Sequence, residues 1–128
     1  MIDVEAWLKA YLIADTTLMT LIGSSNNFVK TYPTNPAMWP WLAYQLGNSN
    51  NHSTGFGDDQ PFSDQVSLEF NVYQNQETET FAIDNQVDAL MHAKLFSRTF
   101  YHTFKEADTN RNRSTLRYAR SLTASDVL

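Results

Sequence analysis

Three prolines within eight positions, Pro33, Pro36 and Pro40, constrain this chain more than any other feature. They punctuate Tyr32-Pro33-Thr34-Asn35-Pro36-Ala37-Met38-Trp39-Pro40-Trp41-Leu42-Ala43-Tyr44-Gln45. Each lacks a backbone N–H and biases the residue before it toward extended geometry, so no helix runs through the segment. Pro40 stands where a proline can open a strand without removing a ladder hydrogen bond. The segment reads as strand, irregular connection, strand. It holds no nucleophile, metal cluster or phosphate loop, and so points to a scaffold built for contact rather than chemistry.

At 128 residues the chain is expected to form one domain over 1–128, since a chain of this size buries about two thirds of its unfolded surface. Cysteine is absent, which excludes disulfides and thiolate metal sites and fits a reducing cytoplasm. Met1-Ile2-Asp3-Val4-Glu5 places acids where a secretory leader would be basic. No apolar run approaches the length of a membrane span. The net charge of −5 argues against a generic nucleic-acid binder.

The charge is unevenly placed. From Thr31 to Ala93 there is no Lys or Arg, while Asp58, Asp59, Asp64, Glu69, Glu77, Glu79, Asp84 and Asp88 all fall there. From Lys94 to Arg120 the sign inverts. Two solvated faces of one domain would produce this pattern. So would complementary patches joining one copy to the next, head to tail, into a ring.

Asp3 is placed to cap a helix with Val4, Trp7, Leu8, Tyr11 and Leu12 on one face, and Asp15 to cap a second turn that stops at Gly23. This predicts one bent helix or two short ones. Strands are expected at 28–32, 40–46, 62–74, 99–107 and 113–122; the clearest alternates Val66, Leu68, Phe70 and Val72 with Ser67, Glu69, Asn71 and Tyr73. The segment 47–61 reads as a long polar loop with Phe56 near its tip. A helix over 77–96 carries Ile83, Val87, Leu90, Met91 and Lys94 on one stripe. The expected fold class is α+β: an antiparallel sheet of four to five strands with two main helices on one face.

Few residues suggest chemistry. His92 and His102 sit on neighbouring elements and could approach each other, but metal-ligand spacing is absent. Asp58 and Asp59 beside Gly57 lack the alternating ligands of a calcium loop. Gly55-Phe56-Gly57 is not a phosphate cradle. Glu77 and Glu79 suit a helix start better than a glycosidase pair. Arg113 and Arg117, with Arg111 beside them, are expected on one strand face, which would suit phosphate, a plain solvated surface or pairing with the acidic segment of a neighbour. The chain is therefore expected to be no enzyme, with no catalytic, cofactor-binding or metal residues.

Several segments in order resemble the small tail-completion proteins of long-tailed bacteriophages, the tail terminators and tail-to-head joining proteins. They are Trp7 to Leu18, Phe28-Val29-Lys30-Thr31-Tyr32-Pro33, Pro40 to Gln45, Val66 to Tyr73, Ile83 to Leu90 and a closing Arg-bearing strand. Ser24-Ser25-Asn26-Asn27 departs from the Gly-Arg pair common in that group. The resemblance implies a hexameric ring that caps the tail tube, ends its polymerisation and prepares it for the head. Implied partners are copies of itself, the tail tube protein and a head-completion or connector protein, with DNA contact only along the ring's channel. A virion location in tail or neck, after assembly in the host cytoplasm, would follow. A neck or head-completion adaptor touching portal or DNA is the alternative. Phe56, Asp58, Asp59, Arg111, Arg113 and Arg117 are the expected contact residues.

Overall fold

The computed structural model describes residues 4–30, 40–47, 50–52, 63–74, 77–105 and 112–122. Two helices open the chain, α1 (Val4–Ile13) and α2 (Thr16–Ile22). Asp15 separates them because its extended backbone, φ −82° and ψ 109°, cannot continue a helix, while its carboxylate accepts the Leu18 N–H at 2.8 Å. Gly23, at φ 88°, ends α2 with its N–H on the Met19 carbonyl. A 3-10 turn at Ser25–Asn27 follows, and the buried Asn27 amide donates to the Ile22 carbonyl at 2.9 Å.

The strands are β1 (Phe28–Val29), β2 (Trp41–Leu46), β3 (Asn50–His52), β4 (Ser63–Gln74), β5 (Ser97–Lys105) and β6 (Asn112–Leu122), with α3 (Glu77–Ala93) between β4 and β5. Their order is β1-β2-β4-β6-β5, and β3 joins β4 beside the end of β2. The α+β expectation holds, and the sheet is antiparallel except where β1 runs parallel to β2.

Alternation decides which face is buried. Leu42 and Tyr44 of β2, Leu68, Phe70 and Val72 of β4, and Leu116 and Tyr118 of β6 form the inner face. Leu8, Leu12, Leu18, Ile22, Ile83, Val87 and Met91 from the three helices cover it. Each such side chain contributes about 1.5–3 kcal/mol by leaving water. Trp7 stacks between Tyr11 and Phe96, with centroids at 5.2 and 6.0 Å, and locks α1 to the end of α3.

Two expectations need correction. The segment 47–61 is not wholly loop: Asn50–His52 pairs with Ser63–Gln65 as β3. Leu46 lies opposite Leu68 and Asn50 opposite Gln65, so four steps on one strand meet three on the other. Gly47 stands at the start of that offset. The Gly47 N–H reaches the Ser67 carbonyl at 2.6 Å, and a Cβ there would lie 2.7 Å from Ser67 Cβ. Second, α3 stops at Ala93 rather than 96. Phe96 N–H bonds to the Met91 carbonyl and Leu95 N–H to the His92 carbonyl, a Schellman closure. Leu95 takes the left-handed position, φ 64°, that glycine usually fills.

Candidate interaction surface

The alternation that buries Ser114, Leu116 and Tyr118 turns Arg113, Thr115 and Arg117 to the opposite face of the sheet, away from the three described helices. Register then builds three rows across that face. Phe104 lies opposite Arg113, and Arg113 opposite Tyr73; His102, Thr115 and Asn71 form the next row; Phe100, Arg117 and Glu69 form the third.

Each row has its own chemistry. In the first, the Arg113 guanidinium sits 5.3 Å from both the Phe104 and Tyr73 ring centroids. In the third, Arg117 lies 4.8 Å from the Phe100 centroid and donates to Glu69 Oε1 at 2.7 Å. In the middle row Asn71 and Thr115 are buried, Asn71 at 1 % exposure, while His102 is exposed. Asn71 Oδ1 accepts from Thr115 Oγ1 at 2.7 Å and from Arg113 Nε and Nη2 at 3.2 and 3.0 Å, while its amide reaches Glu69 Oε2. The network fixes both guanidinium groups in place. His102 stacks on Phe104 at 5.5 Å and faces Phe100 at 6.4 Å, extending the aromatic rim along β5. Aromatic and Arg side chains held in fixed positions are what protein interfaces enrich.

A second polar cluster lies under β5 on the helix side. Tyr101 OH donates to Asp84 Oδ2 at 2.7 Å, and Thr103 Oγ1 donates to Tyr101 OH at 3.1 Å. One turn along α3, Asp88 Oδ1 accepts from Tyr118 OH at 2.8 Å and meets Arg98 at 3.5 Å. Burial raises the Asp84 carboxyl above its ordinary value, against the opposing pull of Tyr101, Ser114 and Arg98. Burial, then the Asp88 hydrogen bond and charge, raise Tyr118. Beneath β2, burial and then Glu5 push Tyr44 up to about 12.

Of the contact residues expected from sequence, the fold brings Arg113 and Arg117 to one face; Phe56, Asp58, Asp59 and Arg111 lie outside the described residues. The acidic and basic segments also meet inside one chain, as Glu69 with Arg117 and Asp88 with Arg98. His92 and His102 do not approach: His92 faces Tyr118 and Asp88 on the helix side, His102 the other face. Sequence reasoning missed Phe100, His102 and Phe104, although their period of two in a strand was the available signal. Alternation puts Asn71 on the side of the sheet away from Leu68, Phe70 and Val72, and does not foretell that it is buried there. Among the described residues no three His, Asp or Glu side chains group to hold a metal ion, and no helix is long and apolar enough to cross a membrane.

No protein-family model and no curated protein matches the chain. Its fold matches a chain in the solved structure titled "Virion of native gene transfer agent (GTA) particle", with a TM-score of 0.67 and 14 % identity. The match covers 97 % of this chain and 100 % of that one. At that identity the likeness establishes a shared fold.

Proposed function

We propose that this chain is a structural, non-enzymatic component of a phage-like virion, and within it a tail-completion protein. It caps the tail tube as a ring, ends polymerisation and prepares the tail for the head. The observation that carries this reading is the end-to-end fold match to a chain of a gene transfer agent virion. The outer sheet face supports it, because Arg113 and Arg117 are committed to rings and to fixed polar partners in an arrangement suited to contact. The partners are other copies in a hexameric ring, the tail tube protein and a head-completion or connector protein.

Electron microscopy of particles assembled without this protein tests the assignment. Overlong tubes are the expected result. Separate tails of normal length beside filled heads would move the chain to the joining step. Complete, infectious particles would overturn the proposal.

A further inference from the structure

The sheet ends in unequal edges. Among the described residues one side is made of short pieces, the two-residue β1, the uncovered end of β2 and the three-residue β3. On the other β5 runs for nine, and among the described residues it pairs with β6 alone. Every strand has backbone donors and acceptors on both sides, so the outer side of β5 presents a row of N–H and C=O groups ready to accept another strand. Proteins ordinarily blunt such an edge with proline, charge, a bulge or a cover. Here the irregularity falls between Arg98 and Phe100 and the charges are Arg98 and Lys105, near the two ends. Between them Phe100-Tyr101-His102-Thr103-Phe104 carries no proline, acid, Lys or Arg. Residues 97–102 are all exposed, Phe100 at 41 % and Tyr101 at 36 %.

This edge is held in extended form by its own subunit. Tyr101 and Arg98 tie its inner side to Asp84 and Asp88 of α3. Phe100 and Phe104 lie against Arg117 and Arg113 on the outer face. A strand ordered in advance loses little entropy when a partner pairs with it.

We propose that the outer edge of β5, unpaired among the described residues, is where the next copy of this chain adds an extended segment to the sheet. The inference rests on the ring reading above and names its contact. Charge selects the occupant. The strand carries +2 from Arg98 and Lys105 and no acid, on a chain of net charge −5, so the rest of each copy carries −7. Pairing two β5 strands with each other would gather four cations from strands that carry no acid of their own, offset only by the Asp88 that each Arg98 already meets, which disfavours a twofold dimer. On the opposite margin the described β1 offers two residues and β3 three against the nine of β5. An acid-bearing stretch elsewhere on the neighbour satisfies both constraints. The contact is then head to tail, the type that closes into rings.

Two measurements on the full chain test this. Hydrogen exchange with mass spectrometry compares dilute protein with protein assembled at high concentration or on tail tube. Amides of residues 97–105 are expected to gain protection on assembly. Solution mass is then measured for the double variant Phe100→Lys and His102→Lys, with circular dichroism and melting as fold controls; the variant is expected to stay monomeric where the unmodified chain assembles. Assembly without added protection at 97–105 would overturn the edge contact and leave the ring standing. If the variant misfolds, the exchange result on the unmodified chain decides alone. A chain that never self-associates, even with tube present, would overturn both ring and contact. Protection caused by tube protein without self-association would assign the edge to a different partner and overturn the second copy as occupant.

Discussion

Gln86 donates to Asp15 at 2.9 Å, on the same carboxylate oxygen, Oδ2, that accepts the Leu18 N–H at 2.8 Å. One oxygen thus caps α2 and ties it to α3 across 71 positions of sequence. Replacing Asp15 with Ala removes the cap and leaves the Gln86 amide without this acceptor. The expected loss is about 1–2 kcal/mol in urea unfolding, near the upper end for an N-cap. Gln86→Ala, which keeps the cap, is expected to cost less.

Gly47→Ala tests the register step between β2 and β3. The new Cβ would meet Ser67 Cβ at 2.7 Å and the Ser67 carbonyl oxygen at 3.2 Å. A cost of about 1–3 kcal/mol is expected from the forced displacement. Pairing Gly47→Ala with Ser67→Gly should recover part of it, measured as a double-mutant cycle.

Leu95→Gly is expected to stabilise the protein. Leu95 holds φ 64° at the end of α3 and is 72 % exposed, so the left-handed backbone costs energy while little packing offsets it. A gain of about 1 kcal/mol follows from releasing that strain, less the added chain entropy of glycine in the unfolded state. A rise in melting temperature is the check.

Asp84 gives the stability a pH dependence opposite to the usual acid denaturation. Its carboxyl is raised in the folded state, mainly by burial, from an ordinary value of 3.8. Between the unfolded and folded values the native state holds more protons than the unfolded one, so this group's contribution falls as pH rises. The effect is absent below 3.8, where Asp84 is protonated in both states, and is complete above its raised folded value. Asp84→Asn removes this decline. Its melting temperature relative to the unmodified protein is expected to be least favourable in acid and to improve toward neutral pH.

Arg117→Ala separates fold from contact. The Arg117–Glu69 pair is short, but the Arg117 side chain is 54 % exposed. Solvent screening therefore holds the stability cost to about 1 kcal/mol or less. A larger effect on assembly than on the melting temperature would mark the outer face as a binding surface.

What was legible in the sequence followed from periodicity. Val66, Leu68, Phe70 and Val72 identified β4 and its buried face, and Ile83, Val87 and Met91 identified α3. Asp15 and Gly23 marked the two ends of α2 by cap chemistry. What was missed depends on partners far along the chain. Nothing in a Leu signals that Leu95 adopts a left-handed backbone; contacts of Phe96 with Trp7 accompany the closure there. Alternation puts Asn71 on the side away from Leu68, Phe70 and Val72, yet does not foretell that Arg113 and Thr115, more than forty positions away, converge on its carbonyl oxygen. The three-residue β3 is too short for a period to show and exists because the far end of β4 is there to pair with it.

Among the described residues the lateral margins of the sheet differ, the nine-residue β5 alone at one and β1, the uncovered end of β2 and β3 at the other, which gives the molecule a sense of direction. In the ring proposed above, units joined through β5 would all point the same way around the circle, like links that each have one hook and one eye. Such a collar has a clockwise and an anticlockwise side that are chemically different, and a subunit inserted backwards would have nothing to grip.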